Sequence, residues 1–116
     1  MKSFSLPRKE RLLNRKDFVN LNRLGKKYRT KHFISISKEN GLDINRLGIT
    51  VSKKIGNAVI RNRIKRLIRE IYRLRKNDIP KGYDVVVVAR KGAADLDYRK
   101  MKEELGEIIL DKRKHI

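Results

Sequence analysis

Residues 58–76 read AVIRNRIKRLIREIYRLRK, and the spacing of the apolar members of this run decides the fold. At about 100° per residue, Ile60, Ile64, Leu67, Ile68, Ile71 and Leu74 gather in an arc of roughly 120°, with Asn62, Lys65, Arg66, Arg69, Arg73 and Lys76 opposite. That is an amphipathic helix, with Asn57 able to cap it and Gly56 permitting the chain reversal before it. Upstream, Leu47, Ile49 and Val51 alternate with Gly48, Thr50 and Ser52, the period of a strand. Downstream, Pro80-Lys81-Gly82 stops the helix. Residues 83–89, YDVVVVA, then have the continuous β-branched composition of a central strand covered on both faces. Residues 46–89 are therefore a βαβ unit.

Working outward, Phe33, Ser35 and Ser37 alternate with Ile34 and Ile36, which predicts another strand. Asn40-Gly41 and Asp43 are turn residues, so the strand at 47–51 is expected to return antiparallel to it. Residues 26–31, KKYRTK, read as an extended basic connection. Ahead of it Asn14 can cap a short helix with Asp17 in its first turn, an apolar stripe of Phe18, Leu21 and Leu24, and Gly25 at its end. Residues 7–16, PRKERLLNRK, read as a basic entry wrapping the outside. At the other end Asp95 or Asp97 can cap a last helix carrying Tyr98, Met101, Leu105, Ile108 and Ile109. The order is helix, extended segment, two strands, long helix, strand, helix, with no repeat or linker.

The chain has 116 residues, the length of one domain spanning 1–116. Thirty-two Lys and Arg against 13 Asp and Glu leave a net charge of +19, whose self-repulsion calls for a polyanionic partner. A disordered basic tail is excluded by the 39% of hydrophobic residues, which fall in periodic segments. With no Cys and two His, neither a disulfide frame nor a thiolate or imidazole metal site is expected. No run of 18 apolar residues and no secretory signal is present, so the expected compartment is the cytoplasm, with no membrane partner. The acids read as solvated helix-surface pairs, as with Glu103, Glu104 and Glu107 beside Lys100 and Lys102. His32 and His115 have no nearby carboxylate pattern, so neither reads as a base or ligand. No phosphate-binding glycine loop occurs. No protein catalytic residue is expected.

The charge on the long helix is different. Ten basic residues from Lys53 to Lys76 meet one acid, Glu70, and Arg61 with Lys65, Lys65 with Arg69 and Arg69 with Arg73 repel at i,i+4. Phosphates would relieve that repulsion, and Arg matches their oxygens bidentately. Nucleic-acid binding is the function this favours.

The stretch from Ser52 to Glu70 resembles the signature of the bacterial ribonuclease P protein subunit, centred on Arg61-Asn62-Arg63. Arg15, Asp17-Phe18, Gly25-Lys26, Phe33, Leu47-Gly48, Asp84-Val85-Val86-Val87 and Arg90-Lys91 agree in order and spacing, so the resemblance covers nearly the whole chain. It implies an α+β fold: a two-layer α/β sandwich in the order α-β-β-β-α-β-α, whose four-stranded, ribosomal-protein-like sheet has a left-handed βαβ crossover. It also implies a protein component of an endoribonuclease that removes the 5′ leader of precursor tRNA, with the catalytic RNA subunit and precursor tRNA as partners and no protein partner evident. The RNA subunit would do the chemistry with Mg2+, and the protein would hold no cofactor or metal of its own.

Carried over residue by residue, the resemblance assigns Lys53, Lys54, Asn57, Arg61, Asn62, Arg63, Lys65, Arg66 and Arg69 to the RNA subunit. Arg15, Phe18, Ile36, Lys53, Arg90 and Lys91 go to the single-stranded leader, held in a cleft between the first helix and the sheet. Two positions depart from the family: Asn22 stands where many members have an aromatic, and Ile36 where some have Tyr, which reduces stacking. Phe18 reads equally as core packing and as a stacking platform. Competing functions are a ribosomal-type structural RNA-binding protein, a DNA-binding protein using the helix at 58–76, and a membrane-surface amphipathic helix. The first explains the charge but not the long signature, the second lacks half-site logic, and the third lacks Trp on the apolar arc.

Overall fold

Asn14 opens the first helix as expected: its side-chain oxygen accepts the Lys16 N–H at 2.8 Å. Helix α1 (Arg15–Leu24) then runs until the Gly25 N–H closes on the Leu21 carbonyl at 2.8 Å. The computed structural model describes residues 6–12 and 14–109; His115 lies outside them. Strands β1 (Lys26–Arg29), β2 (Phe33–Glu39), β3 (Arg46–Thr50) and β4 (Tyr83–Ala89) form a four-stranded sheet in the order β1-β2-β4-β3. Helix α2 (Ala58–Arg75) joins β3 to β4, and α3 (Tyr98–Ile109) follows with Asp97 accepting the Lys100 N–H at 2.8 Å. The α-β-β-β-α-β-α sandwich is the one the resemblance implies.

Two readings of the residues need correction. The run 26–31 is more than a connection, because 26–29 pairs antiparallel with β2 as an edge strand. Only Tyr28 of β1 packs toward the core, and an edge strand tolerates the charged residues around it. More consequentially, β3 does not return against β2: β4 lies between them, antiparallel to β2 and parallel to β3. The reason is burial. Val85 and Val87 on one face and Val86 on the other are all almost completely buried, so this run gains most from the central place. Asn40 shapes the chain for that detour: it accepts the Leu42 N–H at 2.8 Å and donates to Ile44 O at 3.1 Å and to Asp84 Oδ1 of β4 at 2.9 Å.

The sheet divides two cores. On one face Phe33, Leu47, Val85 and Val87 pack with Ile64, Leu67, Ile68, Ile71 and Tyr72 of α2 and Met101, Leu105 and Ile108 of α3. On the other, Ile36 and Val86 pack with Leu12 and Leu21, and Phe18, Ile34 and Val88 border them. The buried face of α2 is rotated from the expected arc. Tyr72 is buried and Leu74 is exposed, because the larger ring gains more from leaving water. Among the described residues no helix is long and apolar enough to cross a membrane.

Candidate nucleic-acid interface

The turn after β3 sets where the basic helix begins. Ile55 N–H bonds Ser52 O at 3.1 Å, and the Asn57 side-chain oxygen accepts the Ile60 N–H at 3.0 Å as the cap of α2. Asn57 thus has its oxygen committed to the helix start. Gly56 takes no left-handed angle; a Cβ there would lie 2.9 Å from Ile60 Cγ2, so its role is close approach rather than reversal. Arg61 ties the helix back to the turn by donating from Nε to Gly56 O at 3.1 Å. Lys53, Lys54, Asn62, Arg63 and Arg66 are exposed, and Arg61, Lys65 and Arg69 half-buried.

Among the described residues the ion pairs are elsewhere. Glu10 holds Lys76 at 3.1 Å and Asp78 holds Arg75 at 3.1 Å, while Glu104 lies at hydrogen-bond distance, 2.9 Å, from His32 Nδ1. Arg46 binds Asp84 with two N–H groups at 2.8 and 2.7 Å and lies 3.7 Å from Asp17. The bond to Asp84 raises the Arg46 pKa above its ordinary value, against the opposing effect of burial. Among the described residues, Lys53, Lys54, Arg61, Arg63, Lys65, Arg66 and Arg69 have no carboxylate within ion-pair distance. No three or more His, Cys, Asp or Glu side chains among the described residues converge as a metal site requires.

The strand register defines a second surface. Lys27, Ile36, Val86 and Gly48 are register partners across the sheet, as are Arg29, Ile34, Val88 and Thr50 one pair of residues further along. Side chains in these two rows share a face. Helix α1 crosses the first row, from β3, where a Cβ on Gly48 would lie 2.6 Å from Phe18 Cζ, to β2, where Gly25 abuts Ile36. The second row remains more open, with Ile34 and Val88 half-buried between exposed Arg29 and Thr50. Because β3 and β4 are parallel, Lys53 beyond β3 and Arg90-Lys91 beyond β4 leave the sheet at that same end.

The structure therefore brings Lys53, Arg90 and Lys91 to one end of an open apolar strip and adds Arg29, which the sequence reading missed. The alternation of Lys27 and Arg29 about Tyr28 was the available signal. Arg15 is exposed in the first turn of α1, on the β3 side, one turn before Phe18. Ile36 is a correction. It is 4% exposed beneath α1, so it supports the helix and presents no surface to a ligand.

The Phe18 ring packs on the Leu12, Leu21, Ile36 and Val86 cluster, as its core reading expects, and stays partly exposed. It also lines a groove of about 160 Å³ along the β3 edge with Arg11, Leu12, Gly48, Lys65 and Arg69. Arg11 is held there by donating from Nε to Leu6 O at 2.8 Å. Among the described residues no acid lines this groove. The two expected surfaces, one from α2 and one from α1, meet in it.

Glu104 is a further correction. It is not a solvated helix-surface carboxylate but turns inward, accepting bonds from the Thr30 hydroxyl, from the His32 N–H at 2.7 Å and, 2.9 Å away, facing His32 Nδ1. Burial would raise its pKa, but the bonds from Thr30 and His32 together outweigh burial and hold it below the ordinary value.

Residues 6–113 match the model of a family described as Ribonuclease P. The chain is 47% identical over 109 residues to the ribonuclease P protein component of Desulforapulum autotrophicum, covering 94% of this chain and 93% of that one. It is 42% identical to the component of Syntrophus aciditrophicus, covering 100% and 98%. Among solved structures, the RNase P protein from Thermotoga maritima superposes with a TM-score of 0.82 at 39% identity, over 87% of this chain and 96% of that one. The Staphylococcus aureus RNase P protein gives 0.83 at 36% identity, over 91% and 96%.

Proposed function

The chain belongs to the ribonuclease P protein family, components of the endoribonuclease that processes the 5′ end of tRNA, and we propose on that premise how it engages RNA. The turn at 52–57 and the outer face of α2 bind the catalytic RNA subunit through Lys53, Lys54, Arg61, Asn62, Arg63, Lys65, Arg66 and Arg69. Asn57 contributes by capping that helix. The single-stranded leader lies along Ile34 and Val88, with Arg29, Lys53, Arg90 and Lys91 on its phosphates, and passes Phe18 and Arg15. The RNA subunit, with Mg2+, cleaves the phosphodiester; the protein neutralises phosphate repulsion and holds the leader, so precursor binds tighter than mature tRNA.

One observation carries the reading: among the described residues, seven cations on α2 and its preceding turn lack carboxylate partners, while the ion-paired carboxylates serve Arg46, Arg75 and Lys76. A surface built for solubility would intersperse the signs. Each phosphate bound there releases condensed counterions, so affinity should fall steeply with monovalent salt.

The test is reconstitution. Purified protein is added to a ribonuclease P RNA at low magnesium, and 5′ cleavage of a precursor tRNA is followed. Stimulated cleavage at the mature 5′ end, absent with protein alone, is the expected result. Tight binding without stimulation would instead assign a purely structural RNA-binding role.

A further inference from the structure

Arg90 does not stand alone at the end of the open strip. Its Nη1 donates to Thr30 O at 2.8 Å, and its backbone N–H to His32 O at 2.7 Å. Both carbonyls belong to the short link between β1 and β2, where Thr30 N–H also bonds Phe33 O at 2.8 Å. That link is held in turn by one carboxylate. Glu104 Oε2 receives the Thr30 hydroxyl and the His32 N–H, the latter at 2.7 Å, and Oε1 lies 2.9 Å from His32 Nδ1. The carboxylate is mostly buried, with side-chain exposure of 16%.

We infer that Glu104 is a positioning residue for Arg90: by fixing the carbonyls of Thr30 and His32 from α3, it sets the direction of the Arg90 guanidinium toward leader phosphate. The inference rests on the leader reading proposed above. The chemistry favours it because Thr30 takes one of the five guanidinium N–H groups and leaves the fork oriented rather than spent. A preorganised cation binds without first losing its rotamer freedom. Among the described residues β1, the outer strand, pairs with β2 alone; Tyr28 Oη donates to Glu107 Oε1 of α3 at 3.3 Å, and Glu104 of the same helix holds the β1–β2 link that follows.

The sign of the effect separates positioning from bulk charge. Removing a carboxylate raises the positive charge, and by charge alone would tighten RNA binding. Positioning predicts a loss. In reconstituted holoenzyme, Arg90→Ala and Glu104→Ala should each lower the preference for precursor over mature tRNA by roughly tenfold, the scale of one charge-assisted bond. Each should also flatten the salt dependence of that preference by about 0.7 in log–log slope. The double variant should be no worse than Arg90→Ala alone, because both act through one guanidinium. Glu104→Gln should be rescued, since the amide oxygen can accept from Thr30 and His32 N–H while its NH2 faces Nδ1. Thr30→Val, which removes a single hydroxyl, gives a smaller loss in the same direction and serves if Glu104→Ala does not fold.

Losses that add in the double variant, equal losses on precursor and mature tRNA, or tighter precursor binding in Glu104→Ala would overturn the inference. An Arg90→Ala variant with unaltered preference would remove Arg90 from the leader path, and the inference with it. That result is distinct from a sensitive Arg90 beside an indifferent Glu104, which would overturn the positioning role alone.

Discussion

Replacing Gly48 with Ala tests how Phe18 is seated. The added Cβ would lie 2.6 Å from Phe18 Cζ, 2.8 Å from Cε1 and 3.3 Å from Leu12 Cβ. Carbon atoms prefer separations of about 3.5 Å or more, so the ring must retreat by about 1 Å. Gly48 has no positive φ, and alanine carries no backbone penalty there. The cost is lost packing: a half-buried phenyl forfeiting a fraction of its 1.5–3 kcal/mol burial gain amounts to about 1 kcal/mol. Chemical denaturation should reveal that loss as a lower midpoint at unchanged slope. Precursor-over-mature preference should fall in parallel, and the same fall is expected for Phe18→Ala. The decisive measurement is the double variant. With Phe18 already truncated, Leu12 Cβ at 3.3 Å becomes the nearest neighbour of the added carbon, and Gly48→Ala should cost almost nothing more in either assay. A Gly48→Ala penalty that persists in full without the ring would refute the argument that Gly48 exists to seat Phe18.

Arg66→Ala with Arg69→Ala should weaken RNA-subunit binding and reduce the log–log salt slope by roughly 1.5 to 2, filter binding across a KCl series being the check; thermal stability should be unchanged. Ile68→Ala empties a fully buried site between α2 and the sheet and should cost about 2–5 kcal/mol by denaturation. Glu104 has a folded-state pKa below its ordinary 4.5. Its stabilisation is therefore fully present above pH 4.5 and lost as pH falls through the lower folded value. Glu104→Gln should remove that part of the acid-side decline in melting temperature, and an identical decline in both proteins would count against it.

What could be read from the chain was whatever a local pattern determines. The period of 58–76 fixes a helix, Asn14, Asn57 and Asp97 cap where a polar residue precedes an apolar period, and the unbroken valines identify a strand buried on both faces. Pairing partners are not local. The alternation of Leu47, Ile49 and Val51 is the same whether β3 lies beside β2 or beside β4, so turn residues at 40–43 suggested a hairpin that burial of Val85, Val86 and Val87 overrules. The hand of rotation of α2 depended on Tyr72 outcompeting Leu74, a comparison of areas that the sequence does not make. In the site, cations were legible by type and motif. The inward turn of Glu104 was not, because its Thr30 and His32 partners lie 74 and 72 residues away. Ile36 matched a family position, but only the path of α1 across the sheet determines that it is covered.

The place of β4 between β2 and β3 also constrains the order of events during synthesis. When β3 leaves the ribosome it has no strand to join, since its partner begins at Tyr83, after the whole of α2. β2 likewise has only β1 on one side. The sheet closes in one late, long-range step, with loop-closure entropy lost before any central pairing is gained. Until residue 89 has emerged, the nascent chain displays an unpaired strand and a strongly basic helix together, at the surface of a particle made largely of RNA.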